Sequence, residues 1–134
     1  MRRKKPSFLR VLILAILIKE GKLHGYLLYK RILHHTRMKW KPSIGTIYRT
    51  LNKMVEEGLI SKHVENRRHS YAVTSKGIEY FIKNSKAPLT RMAGVMATIL
   101  DAYLRIPVDK GTMLPKDLKE RLRNLREILQ KFEA

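Results

Sequence analysis

A helical segment near the middle of the chain carries basic and hydroxyl side chains on one side. In KPSIGTIYRTLNKMVEEGLI, Lys41 to Ile60, a turn of about 100° per residue brings Thr46, Arg49 and Lys53 towards the same face. The opposite face carries apolar residues spaced three, four and three apart: Ile44, Ile47, Leu51 and Met54. Guanidinium, ammonium and hydroxyl groups on such a face can bind the phosphates and base edges of DNA. Taken alone, an outward charged face is more often only solvated.

Two further basic clusters lie on either side of this helix in the sequence. Lys39 and Lys41 stand at its entrance, where the pair PS opens the helix. Arg67 and Arg68 occupy NRRH, which is predicted to be the polar tip of a hairpin. Each cluster alone would be an ordinary polar turn. Together they favour DNA binding, because one known DNA-binding geometry needs basic groups at all three places.

The overall charge supports a polyanionic partner. The 134 residues include 29 Lys and Arg against 11 Asp and Glu, a net charge of +18, and the isoelectric point is about 10.5. Values above about 9 are typical of nucleic-acid binders, although an anionic membrane surface would attract the same charge. Residues 1–73 carry a net +13 and residues 74–134 only +5. The polyanion-facing surface is therefore predicted in the first half.

The sequence does not indicate catalysis, metal binding or cofactor binding. There is no cysteine, which excludes disulfides, thiolate zinc sites and a cysteine nucleophile. The five histidines lack metal-ligand spacing, and there is no glycine-rich phosphate loop and no Ser/His/Asp arrangement. We predict no enzyme activity, no metal site and no cofactor.

The N-terminus imitates a signal peptide, because MRRKK precedes the apolar run VLILAILI. The run is only 8 residues long, is far too short to span a bilayer, and is followed by KEGK without a small-residue cleavage pattern. A helix that is apolar on nearly every side is instead predicted to be buried by other helices or by a partner chain. We expect a cytoplasmic, nucleoid-associated protein without a membrane segment.

The elements that position the basic clusters can be placed from periodicity and capping signals. The mainly α (α+β) order is helix, helix, helix, strand, strand, helix, which is that of a winged helix-turn-helix with a two-stranded wing. In that fold the third helix enters the major groove and the hairpin tip lies beside it, on the backbone or in the minor groove. The predicted ranges are helices 7–20, 25–36 and 43–58, strands 59–65 and 70–74, and helix 75–84.

The chain changes character after residue 84. Two apolar stripes with alternating spacings of three and four residues resemble the seam of a coiled coil. The segment IPVDKGTMLP separates them. We therefore predict a DNA-binding domain over 1–84 and a helical dimerisation region over 85–134. The first stripe is Leu89, Met92, Met96, Ile99 and Tyr103, and the second is Leu118, Leu122, Leu125, Leu129 and Phe132.

Three stretches resemble the signature segments of the PadR family of winged-helix transcriptional regulators. They are HGYLLYKRI, PSIGTIYRTLNKMVEEGLI and YAVTSKGIEYF, which fall in the expected order within residues 7–84. Members of that family are homodimeric repressors of operators with dyad symmetry, so the resemblance implies the same here. It also implies double-stranded DNA contacts through Thr46, Tyr48 and Arg49, with Arg67 and Arg68 on the wing.

The resemblance assigns roles that complete the predicted sites. Tyr48 lies towards the flank of the third helix, where its hydroxyl suits a phosphate, whereas Arg49 suits a bidentate contact to guanine. The predicted DNA-contacting residues are Lys39, Lys41, Ser43, Thr46, Tyr48, Arg49, Lys53, Arg67 and Arg68. The predicted dimer interface comprises Leu12, Ile16, Leu89, Met92, Met96, Ile99, Tyr103, Leu118, Leu122, Leu125 and Leu129.

Some relatives respond to small aromatic or drug-like molecules near the dimer interface, which implies an effector whose identity the sequence does not give. Met92, Met96 and Tyr103 can line such a cavity, although a stripe of this kind is more often plain core. Two other functional classes also stay open. The chain can be a nonspecific architectural DNA-binding protein, or a module whose basic face meets acidic proteins or membranes.

Overall fold

The computed structural model describes residues 8–36, 42–107 and 113–132, and the element order in these ranges is that of the predicted winged helix-turn-helix. None of the helices in these ranges is long and apolar enough to cross a bilayer. Ser7, the expected cap of the first helix, lies outside them. The elements are α1 Phe8–Glu20, β1 Leu23–His24, α2 Gly25–His35, α3 Ile44–Glu56, β2 Ile60–Glu65, β3 Arg68–Val73, α4 Ser75–Arg105 and α5 Lys116–Lys131.

A small antiparallel sheet carries the wing. Its strand order is β1-β3-β2, and the β2–β3 hairpin pairs from Ile60 with Val73 to Glu65 with Arg68. The hairpin was predicted, but the third strand was not. β1 has only two residues, and it pairs Leu23 with Tyr71. A two-residue strand is too short to show an alternating pattern, so only its neighbour defines it.

The core of the first half of the chain is built by the chain itself. Helix α3 contributes Ile47, Leu51 and Met54, all fully buried. Helix α1 contributes the largest share, in agreement with its apolar sequence: Leu9, Ile13, Leu14, Ile16 and Leu17. Burying one such side chain stabilises the fold by about 1.5–3 kcal/mol.

Two residues of α1 were assigned to a dimer interface from the sequence. Ile16 is buried in the protomer's own core, and Leu12 is half-buried against it. Phe8 and Ile18 are the exposed large apolar residues of α1. The burial of Ile16 therefore requires no partner, and the contact of Leu12 and Ile16 with a second chain stays a prediction.

The largest departure from expectation is helix α4. The sequence suggested that a helix ends near Asn84 and another begins near Ala87, but α4 runs unbroken from Ser75 to Arg105 with Pro88 inside it. A proline in a helix interior costs about 3 kcal/mol, because one backbone donor is lost and the ring crowds the preceding turn. Only one N–H is missing, and good helix formers flank the proline on both sides (Lys86 and Ala87 before it, Leu89 and Arg91 after it), so the helix persists.

The chain divides into two compact units, Met1–Thr90 and Arg91–Ala134. The second unit contains the end of α4 and helix α5. The division into a DNA-binding domain over 1–84 and a helical region over 85–134 stays a prediction. The hydroxyl of Tyr103 donates to the carbonyl of Met113 at 3.4 Å. Pro115 precedes α5, and its carbonyl accepts from the N–H of Lys119. That the second region dimerises stays a prediction.

Candidate nucleic-acid interface

The start of helix α3 is fixed by a serine cap. Ser43 has an extended backbone, and its Oγ accepts from the N–H of Thr46 at 3.1 Å. The two hydroxyls also lie 2.9 Å apart in a hydrogen bond. A cap of this kind stabilises a helix by about 1 kcal/mol. Ser43, predicted to contact DNA, therefore has a structural role that the sequence had already suggested.

The two faces of α3 lie largely as the spacing predicted. Arg49 and Lys53 are exposed, and Thr46 is half-buried. Ile44 was expected on the inner face but is 46% exposed, because it is the first helical residue and extends beyond the core. The basic side chains of α3 are thus available for a ligand, and the apolar face holds the helix in place.

Tyr48 has a packing role that sequence reasoning missed. It is half-buried and packs against the core. Its ring lies over Gly25 at the start of α2, where an added Cβ would come within 3.0 Å of the Tyr48 Cε1 and hydroxyl oxygen. This contact joins the start of α2 to α3, because a glycine at position 25 leaves room for the tyrosine ring. The phosphate contact of the Tyr48 hydroxyl stays a prediction.

A second tyrosine, in the central strand of the sheet, is close enough to interact with Tyr48. Tyr71 of β3 is buried, and burial raises the pKa of its phenol, with a further contribution from Tyr48. Its hydroxyl is therefore uncharged at neutral pH. The flank of α3 and the central strand of the sheet thus each contribute a tyrosine to the core or to its edge.

The tip of the wing is a tight turn with an unusual residue. Asn66 and Arg67 have φ values of +50° and +64°, and they separate the paired residues Glu65 and Arg68. A two-residue hairpin loop with positive φ at both positions is a type I′ turn, which favours Asn followed by Gly. Arg67 takes the place of the glycine, at a cost of about 1–2 kcal/mol. Arg67 and Arg68 are both exposed, so the strained residue presents a guanidinium to solvent.

An ion pair connects the wing to the segment before β1. The ammonium of Lys22 binds the carboxylate of Glu65, and its hydrogen bond and charge lower the pKa of Glu65. The sequence did not indicate this contact, because the two residues are far apart along the chain. It leaves one fewer unneutralised carboxylate near the arginine tip.

Two predicted entrance residues, Lys39 and Lys41, lie outside the described part of the chain. In the described part, no group of three or more His, Cys, Asp or Glu side chains is arranged to hold a metal ion. What the structure brings together here is a capped helix and a hairpin, both with exposed basic groups. This arrangement can bind an anionic surface without any covalent chemistry.

A separate apolar cleft of about 810 Å³ lies within the second unit. Six residues predicted for the dimer seam line it: Met92, Met96, Ile99, Tyr103, Leu118 and Leu122. The other predicted seam residues, Leu89, Leu125 and Leu129, are exposed. Arg91 stands among the lining residues as a charged group.

Comparison with known proteins agrees with this architecture. The model of the transcriptional regulator PadR-like family matches residues 13–83. The transcriptional regulator YqjI of Escherichia coli (strain K12) is 36% identical over 98 residues, which are 72% of this chain and 47% of the relative. The chain therefore spans about half the length of this curated relative.

Two solved structures are similar to this chain in fold. A PadR family transcription regulator from Clostridium difficile R20291 is 25% identical, with a TM-score of 0.54 over 70% of this chain and 99% of the other. F93 from STIV, a winged-helix DNA-binding protein, is 20% identical, with a TM-score of 0.52 over 60% of this chain and 86% of its own. The second likeness concerns the fold alone. With the family model matched over more than half of its length, this chain belongs to the PadR-like family of transcriptional regulators.

Proposed function

We propose that the chain is a homodimeric, sequence-specific regulator that binds double-stranded DNA and represses from a palindromic operator. It acts in the cytoplasm, in association with the nucleoid. The observation that carries this proposal is helix α3, which is capped and packed on one side and exposes Arg49 and Lys53 on the other. The arginine-tipped wing follows it directly in the fold.

The basic residues divide into two roles under this proposal. Arg49 reads a base, because a guanidinium can donate two parallel hydrogen bonds to guanine in the major groove. The remaining cations bind phosphates, which supplies affinity and makes it dependent on salt. The phosphate-binding group is Lys39, Lys41, Lys53, Arg67 and Arg68, with Ser43, Thr46 and Tyr48 contributing hydroxyls.

The second unit is proposed to form the dimer. Ile99 is 63% exposed and Leu129 is 53% exposed, which is costly for apolar side chains that stand in a row. A second copy would cover such rows, as two-helix seams do. A dimer that reads one palindrome spaces its half-sites about one helical turn, or about 34 Å, apart.

A small-molecule effector is a further part of the proposal. The cleft of the second unit has a volume within the range of small-molecule sites, and its lining is apolar with a few polar groups.

A nonspecific architectural role is the second candidate, because the net charge of +18 would bind any duplex. Selection of bound fragments from a random DNA pool separates the two. A palindromic consensus is the result expected for the regulator. Broad binding without a consensus would favour the architectural role, and no binding to DNA would contradict both.

A further inference from the structure

The carboxyl end of helix α3 is held by a side chain from α1. Nη1 of Arg10 lies 2.6 Å from Oε2 of Glu57, the C-terminal cap residue of α3. The Arg10 side chain is 18% exposed and that of Glu57 is 50% exposed. Tyr80 in α4 also interacts with the guanidinium and helps to raise its pKa. Arg10 therefore joins three helices at one point.

The electrostatics of this point favour a charged, paired arginine. Partial burial by itself lowers the pKa of Arg10, but the hydrogen bond and negative charge of Glu57, together with Tyr80, raise it above the ordinary value. A partly buried guanidinium loses more when its partner is removed than an exposed one does, because its own hydration is already reduced. The pair is thus a geometric constraint on α3.

The same end of α3 is also fixed through backbone groups. The hydroxyl of Thr74 donates towards the carbonyls of Gly58 and Leu59, at 2.6 and 3.0 Å. Gly77 in the first turn of α4 packs so closely on the Leu59 carbonyl that a Cβ there would overlap it. The residues just after α3 and the start of α4 are therefore in tight contact, and Arg10 adds a side-chain link to the same place.

The orientation of α3 as a whole matters for base contacts, because Arg49, the proposed base-reading residue, lies about two turns before Glu57. Lys53 lies one turn before Glu57, whose N–H donates to the Lys53 carbonyl at 3.0 Å. Bidentate base contacts tolerate little displacement, whereas attraction to phosphates persists over several ångströms. A loosened α3 should consequently lose sequence discrimination before it loses general DNA affinity.

We propose that Arg10 is a positioning residue for DNA recognition: by bridging Glu57 to Tyr80 it fixes the carboxyl end of α3, and so determines how well the protein distinguishes one DNA sequence from another. This inference rests on the proposed sequence-specific function. It assigns to Arg10 no contact with DNA.

The test compares Arg10→Met, Glu57→Gln and Tyr80→Phe with a matched control, Arg31→Met. Arg31 forms a similar ion pair with Glu20, at 2.9 Å, which links α2 to α1 and does not involve α3. Affinities are measured for the consensus selected by the wild-type protein and for a scrambled duplex. Arg10→Met and Glu57→Gln should lower the ratio of the two affinities by about fivefold, Tyr80→Phe by less, and Arg31→Met should leave it unchanged.

Two readouts separate positioning from direct contact and from instability. Glu57→Gln removes a negative charge, so it should maintain or strengthen binding to the scrambled duplex while it lowers discrimination. Amide hydrogen exchange without DNA should accelerate at residues 55–59 in Arg10→Met and stay unchanged at residues 46–49. A variant with accelerated exchange in both ranges would indicate general destabilisation and overturn the proposal.

The outcomes also distinguish this inference from the proposed function. If the wild-type protein shows no sequence preference, both the proposed function and the role of Arg10 in discrimination are wrong. A wild-type protein with a clear preference that Arg10→Met and Glu57→Gln retain in full would overturn only the role of Arg10. A salt dependence that falls in Arg10→Met would instead assign Arg10 to a phosphate contact.

Discussion

The two units of the chain differ in how far their apolar residues are buried. In the first unit, Ile13 of α1 and Leu51 of α3 are fully buried within a core that α1, α2, α3 and the sheet build together. In the second unit, none of the described residues of α5, Lys116–Lys131, is buried. The first unit thus obtains its stability from its own chain. The second exposes apolar rows, and this is why the proposed dimer contact lies there.

The contrast has an energetic reason. A buried Leu or Ile side chain stabilises a fold by about 1.5–3 kcal/mol relative to an exposed one. In the first unit, the buried core residues are stabilised in this way. In the second unit, two helical segments alone cannot bury many side chains. An exposed row such as Met92, Met96 and Ile99 gains the same energy only when another surface covers it.

The largest expected effect tests the second unit. Leu125→Asp with Leu129→Asp places two charges on an exposed apolar row, so the protomer should stay folded while the dimer dissociates. Loss of paired half-site binding should weaken affinity for a palindrome roughly 100-fold. Sedimentation and DNA titration measure the two effects.

The control for this double variant is Asn124→Asp with Gln130→Asp, which adds the same charges at polar positions of α5. It should remain dimeric. If the leucine variant also sediments as a dimer, the interface lies elsewhere, and the row from Leu89 to Tyr103 on α4 becomes the next candidate.

The next effect tests the base-reading face of the first unit. Arg49→Ala should cost about 1–3 kcal/mol on the selected operator and relax preference at one base pair of each half-site. Selection from a random pool with the variant protein reveals the relaxed position. Lys53→Ala serves as the comparison and should weaken all duplexes alike. An equal loss on every sequence for Arg49→Ala would contradict a base contact.

Substitution of Arg67 in the wing should raise the stability of the fold but weaken DNA binding. Arg67→Gly places glycine at a backbone with φ +64°, so stability should rise by about 1 kcal/mol. Loss of the guanidinium should weaken DNA binding and flatten its salt dependence. Thermal unfolding and DNA titration at several salt concentrations measure both. Arg68→Ala should weaken binding without the gain in stability, and an unchanged salt slope in both variants would remove the wing from the interface.

The smallest effect concerns the start of α3. Ser43→Ala removes the acceptor for the Thr46 N–H and should destabilise the fold by about 1 kcal/mol. Chemical denaturation measures the change, with Ser75→Ala at the start of α4 as the control. A loss of DNA affinity without a loss of stability would show instead that the Ser43 hydroxyl contacts DNA.

Much of the first unit was predictable because its signals are local. The cap at Ser43, the apolar spacing of Ile47, Leu51 and Met54, and the polar tip at Arg67 each depend on a few neighbouring residues. The unbroken course of α4 through Pro88 was not predictable, because a proline inside a helical sequence usually ends or kinks the helix. Strand β1 was not predicted, because a two-residue strand is defined only by its pairing with β3, here Leu23 with Tyr71.

The sequence by itself determined the family, the order of the elements in the DNA-binding half and the face of α3 that carries the basic residues. These follow from periodicity, capping and composition, which act between residues close in the chain. Only the tertiary structure decided which distant groups meet: Tyr48 over Gly25, Lys22 with Glu65, and Arg10 between Glu57 and Tyr80. Such contacts depend on how the helices and the sheet pack in three dimensions, and no spacing along the chain encodes them.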